Sequence, residues 1–318
     1  MPITRVQSAP PAPASVVPMA ALWKSAQRGA APPPKPVYSL PTAPKEQDTD
    51  ISHYTTLIYG REKIGKTTLM SSFPDALFLS TEPGTKGLKV FEFNAENGGI
   101  TSWDVFRAAV DLLEKDRTRF KTIVIDTADR AYDMCLDWVC DTMKIEYPGH
   151  DSNGTEDFGK SWRAVKMEFL ECIHRIAKTG RGICFTSHAK ETEFKTKSGE
   201  KYTRIFPSMS SQARTVIEAI VDMFFYAEYV RDPSGETKRI LICQGDDTIW
   251  AGARATVGGV FPQFLPMKAK DGYVVIRDAF MGKLVGIDPA TLVPARTTTE
   301  TAKKLIVKAK TKAAIAAQ

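Results

Sequence analysis

The sequence predicts an α/β fold, a mostly parallel sheet with helices on both faces and added antiparallel hairpins. Three observations carry that expectation. Short apolar runs alternate with segments of helical period from His53 to Ser187, the pattern of parallel strands joined by crossover helices. One strand–helix junction, Gly60-Arg-Glu-Lys-Ile-Gly-Lys-Thr67, fits G-x-x-x-x-G-K-[ST] at every specified position. Beyond His188 the texture changes to paired short runs about turn residues, Lys-Ser-Gly-Glu at 197–200 and Asp-Pro-Ser-Gly at 232–235, which signal hairpins.

The elements follow in order. Thr55 to Tyr59 is the first strand, and Thr68 to Phe73 continues a helix out of the glycine-rich turn. Ala76 to Ser80 is the second strand. Ser102 to Asp116 is a helix with Trp103, Phe106, Val110 and Leu113 on one face. Thr122 to Asp126 is the third strand. Ala128 to Met143 is a helix with Tyr132, Cys135, Leu136, Val139, Cys140 and Met143 at helical spacing, which makes its two cysteines core residues. A polar, glycine-bearing loop spans about 147–159. The helix at about 160–179 buries Trp162, Val165, Phe169, Ile173 and Ile176, and Gly182 to Ser187 is the fourth strand. The first hairpin pairs 191–197 with 201–206. A helix near 209–220 then leads into Val221 to Tyr226, and the second hairpin pairs 228–230 with 238–243. Gly272 to Arg277 reads as a last edge strand.

The flanks differ in composition. Residues 1–50 hold 11 of the 20 prolines and cannot bury enough surface to offset their ordering entropy. They read as a disordered Pro/Ala-rich tail, with Ala20 to Gln27 as a candidate short helix. Residues 51–283 read as the folded domain and 284–318 as a Lys/Ala-rich C-terminal tail carrying Lys303, Lys304, Lys308, Lys310 and Lys312. No apolar run reaches the roughly 18 residues of a membrane helix, and early prolines interrupt any signal-peptide core. Five cysteines without a C-x-x-C pair, and only four histidines, argue against metal or disulfide frameworks and for a reducing cytoplasm. A net charge of +6 permits a nucleic-acid partner without demanding one.

The chemistry centres on the glycine-rich turn. In such a loop (Gly60, Arg61, Glu62, Lys63, Ile64, Gly65, Lys66, Thr67 and Thr68) backbone N–H groups point at phosphate oxygens at a helix N-terminus. Lys66 suits the β- and γ-phosphates of ATP, and Thr67 suits Mg²⁺. Asp126 ends an apolar strand that reads as a Walker B segment, a second ligand for Mg²⁺. Glu82 ends the intervening strand, where a carboxylate polarises the water that attacks the γ-phosphate; Asp129 and Glu92 are the fallback bases. His188 ends the fourth strand, where a polar side chain reads the γ-phosphate.

The ordered set Gly60–Thr67, Glu82, Ile123–Asp126 and Cys184–His188 resembles the RecA-like P-loop ATPases. More narrowly, it is similar to phage-encoded RecA-like ATPases associated with single-strand annealing recombination. Phe73-Pro-Asp-Ala-Leu77, Glu82-Pro-Gly84, Ile125-Asp-Thr127, Gly159-Lys-Ser-Trp162 and Ser187-His188 carry that narrower likeness over about 53–283. The resemblance implies a RecA-like fold, ATP hydrolysis and DNA contact just after the sensor strand. It also implies homo-oligomeric assembly with a cation supplied by a neighbour, for which Arg254 and Lys268 are candidates, and a host-cytoplasm location if the chain is phage-encoded.

The first hairpin bears Lys190, Lys195, Lys197, Lys201 and Arg204 with Phe194 and Tyr202 interleaved, a pattern suited to a single-stranded backbone and its bases. Glu191, Glu193 and Glu200 dilute its charge. The leading expectation is therefore a Mg²⁺-dependent, DNA-stimulated ATPase acting on single-stranded DNA in recombination or replication, with a single-strand-binding or replication protein as a further partner. Two other readings compete. One is a nucleotide-gated loader or packaging protein with low turnover. The other is a P-loop small-molecule kinase, which would need an arginine-bearing lid that the sequence does not display.

Overall fold

The computed structural model describes residues 40–195, 199–254, 257–288 and 293–294. The candidate helix at Ala20 to Gln27, Lys197 and the lysines beyond 300 lie outside them. Contacts divide the chain between Glu46 and Gln47, and the sheet lies wholly within the second unit.

Among the described residues eleven strands form the sheet: β1 (Thr55–Gly60), β2 (Ala76–Ser80), β3 (Phe91–Glu92), β4 (Thr122–Asp126), β5 (Gly182–Lys195), β6 (Lys201–Pro207), β7 (Met223–Arg231), β8 (Thr237–Ile242), β9 (Gly252–Ala253), β10 (Phe264–Pro266) and β11 (Val293–Pro294). Their order is β10-β8-β7-β1-β5-β4-β2-β3, with β6 paired to β5 and with β9 and β11 paired to β7. From β7 to β3 the pairings are parallel, and the β7–β8, β8–β10 and β5–β6 pairings are antiparallel. The expected α/β class, with a mostly parallel sheet and added hairpins, is the one observed.

Strand alternation fills both faces. Leu57, Leu79, Ile123, Ile125, Ile183 and Phe185 pack under α2 (Trp103–Lys115), α3 (Ala128–Met143), α4 (Lys160–Ala177) and α5 (Ser211–Ile220). Their neighbours Ile58, Phe78, Val124 and Cys184 pack on the other face under α1 (Lys66–Met70) and α6 (Gly272–Phe280). Period-two strands buried on both sides are what crossover connections impose. Capping sets the helix starts. The Ser102 hydroxyl accepts from Val105 N–H at 3.4 Å and the Ser210 hydroxyl from Ala213 N–H at 3.2 Å, while Asp157 accepts from Ser161 N–H at 2.9 Å.

Arg181, only 5% exposed, closes the far end of the core. Its guanidinium donates to the carbonyls of Leu113 (2.9 Å), Phe120 (3.0 Å), Arg119 and Asp116, tying the end of α2 to the start of β5. All five cysteines are buried and unbridged. Burial pushes their thiols up, that of Cys172 to about 12.

One element departs from expectation. Gly272 to Phe280 is a helix, not an edge strand. Its β-branched run favours a strand locally, but Val275, Ile276, Ala279 and Phe280 recur at helical spacing and are buried against α1. Tyr273 packs edge-on to Phe73 at 5.2 Å. Burial of that face outweighs the weak local preference. Two smaller differences are of degree: Trp162 is half-buried and Met143 is exposed.

Candidate nucleotide site

The parallel strands β1, β2, β4 and β5 all point their carboxyl ends at one cavity of about 470 Å³. Ligands of open α/β sheets sit at such ends. β1 delivers the loop, in which Gly65 has φ +109° and Lys63 φ +58°. A Cβ on Gly60 would stand 2.6 Å from the Ala227 carbonyl, so neighbouring β7 requires glycine there. Glu62, Lys63, Gly65, Lys66, Thr67 and Thr68 line the cavity. Ile64 turns into the core and Arg61 is exposed.

Lys66 is 6% exposed, and its ammonium donates to the carbonyls of Gly60 (3.0 Å) and Arg61 (2.9 Å). Burial lowers its pKa, opposed by the nearby carboxylates of Asp126, Asp129 and Glu82. The Thr67 hydroxyl donates to Asp126 Oδ2 at 2.8 Å, and the Thr186 hydroxyl donates to Asp126 Oδ1. Gly84 lies over this pair: a Cβ there would be 3.4 Å from Thr67 Oγ1 and 3.5 Å from Asp126 Oδ2. Hydroxyl and carboxylate oxygens are the donors a Mg²⁺ ion takes. No cluster of three or more His, Cys, Asp or Glu ligands occurs among the described residues. An ion here would therefore need further oxygens, of the kind nucleotide phosphates carry.

Glu82 faces the same space. Its Oε1 accepts from the Thr127 hydroxyl at 2.9 Å, and its Oε2 lies 3.4 Å from His188 Nε2. Thr127 is itself held by Thr81, whose hydroxyl accepts from Thr127 N–H at 2.8 Å. Lys66, Thr67, Glu82, Asp126 and His188, separated by up to 122 positions, are thus brought together. Neither fallback base lines the cavity: Asp129 acts on Lys66 through its charge and accepts from the Ser208 hydroxyl, and Glu92 is engaged with the Thr85 hydroxyl at 2.7 Å.

Sequence reasoning missed three supporting contacts outside the cavity lining. Thr186 is an unmarked residue inside an apolar strand. Arg239, from β8, donates to the Ile64 carbonyl at 3.1 Å, behind the loop. Ser208 donates to Asp129. Only the pairing of distant strands makes these contacts, and no local motif announces them.

β5 does not stop at His188. It continues to Lys195 and pairs with β6 to form a ribbon standing off the cavity. The register sorts its side chains. Lys190, Thr192 and Phe194 oppose Phe206, Arg204 and Tyr202 on one face. Phe194 stacks on Tyr202 at 5.8 Å, and Arg214 lies 4.2 Å over Phe206. Lys195 and Lys201 fall on the opposite face with Glu191 and Glu193, and Lys201 pairs with Glu193 at 2.7 Å. The expected basic set is therefore split between two faces. Neither Arg254 nor Lys268 lines this chain's cavity. Arg254 pairs with Asp222 at 3.6 Å and donates to the Ala219 carbonyl, while Lys268 is exposed after β10.

A family profile described as an AAA domain matches residues 52–255, well over half of the chain. The chain belongs to the AAA-domain family of P-loop ATPases. A relative of the domain is the SPbeta prophage-derived uncharacterized protein YorG of Bacillus subtilis (strain 168), 26% identical over 151 residues. That alignment covers 46% of this chain and 43% of YorG, so the AAA-domain chain spans less than half of that relative. Among solved structures, a KaiC-like protein of Pyrococcus horikoshii OT3 matches 69% of this chain and 88% of its own, at 12% identity and TM-score 0.35. That likeness is too remote to bear on activity. No helix of the described residues is long and apolar enough to cross a membrane.

Proposed function

We propose that this AAA-domain protein is a Mg²⁺-dependent ATPase acting on single-stranded DNA, of the phage single-strand annealing recombination kind. One observation carries the reading: a single strand, β5, bears Thr186 bonded to Asp126 and His188 at the cavity, and runs unbroken into a ribbon with a cationic, aromatic face.

In this reading Lys66 leaves the carbonyls of Gly60 and Arg61 for the β- and γ-phosphates. Thr67 and Asp126 would hold Mg²⁺, which would supply positive charge to the phosphates. Thr186 fixes the rotamer of Asp126. Glu82, oriented by Thr127, accepts the proton of the attacking water. His188, beside Glu82, registers loss of the γ-phosphate. On the ribbon, Lys190 and Arg204 contact phosphates, joined by Arg214 from α5 over Phe206, while Phe194 and Tyr202 stack on bases. Assembly of several copies with Lys268 or Arg254 reaching a neighbour's nucleotide belongs to the same proposal. Arg254 would have to release Asp222 to do so.

The deciding experiment is the ATP hydrolysis rate with and without single-stranded DNA, with DNA affinity measured across salt. The expected result is stimulation, and a log–log salt slope that flattens by about 1.4 on replacing Lys190 and Arg204, about 0.7 for each phosphate that is no longer neutralised. Phe194→Ala should cost about 1–3 kcal/mol of affinity with little change in slope. Hydrolysis with neither stimulation nor DNA binding would overturn the DNA reading and leave a nucleotide-gated protein.

A further inference from the structure

The ribbon meets residues at or beside the nucleotide cavity at two places. Its outgoing leg passes through His188, 3.4 Å from Glu82. Its returning leg leaves β6 at Pro207 and reaches Ser208, whose N–H donates to the His188 carbonyl at 2.8 Å and whose hydroxyl donates to Asp129 Oδ1. Asp129 stands three residues beyond Asp126, in the first turn of α3. Its second oxygen is buried and has no hydrogen-bond partner among the described residues. Asp129 is also one of the carboxylates whose field reaches the Lys66 ammonium.

These contacts make a second link between site and ribbon. The returning strand is also held at Ile205, which bonds to Thr248 and Trp250, so Ser208 is the contact that ties this otherwise anchored leg to the site. An ammonium drawn from the Gly60 and Arg61 carbonyls onto phosphate oxygens changes the field at Asp129, which is buried on one side and bonded to Ser208 on the other. Any shift of the end of β4 also carries Asp129 with Asp126. We propose that Asp129 and Ser208 form a tether through which the bound nucleotide sets the position of the ribbon's returning leg, with Ser208 a positioning residue acting through Asp129. The proposal rests on the nucleotide-binding reading above but not on the ribbon's ligand.

The test is hydrogen–deuterium exchange of amides 189–195 and 201–206 in the full chain. It uses Mg²⁺ with either ADP or a non-hydrolysable ATP analogue, in the absence of DNA, with nucleotide affinity measured first. The parent should exchange at different rates in the two states. Ser208→Ala should bind both nucleotides as the parent does yet reduce the difference by about fivefold, the lower end of typical coupling between two sites. Ser208→Thr, which keeps the hydroxyl, should retain it. The tether is overturned if Ser208→Ala keeps the parent's difference, if Ser208→Thr loses it as fully as alanine does, or if the nucleotide-bound parent shows none. A parent that binds no nucleotide refutes the site reading as well, and the affinity measurement separates that outcome from the others.

Discussion

At the scale of single residues, the site is a set of charges made compatible by burial. Lys66 is held in a region that disfavours its charge, so its ammonium leans on carbonyls and nearby carboxylates. Lys66→Ala is expected to abolish hydrolysis in a protein that still folds, read by phosphate release beside a circular-dichroism melt. Glu82→Gln keeps the size of the side chain and its bond from Thr127 but loses the basic oxygen. Turnover should fall about 10²-fold or more with ATP affinity retained. Unchanged turnover would transfer the base role to Asp129. Lys66, Thr67 and Asp126 were legible in the sequence because phosphate binding needs a fixed local pattern. Thr186 was not, because a hydroxyl inside an apolar strand acquires meaning only when β5 lies beside β4.

At the scale of elements, the loop is shaped from both sides. Arg239 reaches across from β8 to the Ile64 carbonyl, and a Cβ on Gly65 would come within 2.8 Å of its guanidinium. Arg239→Ala removes one hydrogen bond behind the loop. It should weaken nucleotide binding by about 1 kcal/mol, roughly fivefold, with kcat little changed; titration with a fluorescent nucleotide measures this. Arg181 anchors a different junction. Replacing it with methionine leaves several carbonyls at the end of α2 without a donor and should cost about 3 kcal/mol or more in urea unfolding, with activity per folded molecule intact. Most elements could be read from hydrophobic period alone. The helix Gly272–Phe280 could not, since its run of Val-Val-Ile fits a strand until Leu69 of α1 and Phe73 are there to cover it. The extension of β5 past His188 was legible only as a hairpin near 191–206. The facing of its lysines depended on a register that composition does not reveal.

For the molecule as a whole, stability carries a cost near the site. Glu228, on β7 beside Tyr226, is half-buried, and burial raises its carboxyl pKa against the bond from Tyr226 and the charge of Arg61. The folded state therefore holds this proton more tightly than the unfolded chain. The penalty is absent below the unfolded pKa, about 4.3, and fully present above the folded one. Glu228→Gln should raise Tm at about pH 7 and give little gain at about pH 4, a comparison that thermal melts make directly. The burial of every cysteine has a separate, practical consequence. Thiol reagents attack the exposed thiolate, and the five native thiols are both enclosed and held protonated. Thr192→Cys would therefore introduce the one reactive thiol of the native molecule, on the face of the ribbon between Lys190 and Phe194. A dye attached there reports the ribbon's surroundings from a single position, without first stripping the chain of its own sulfur.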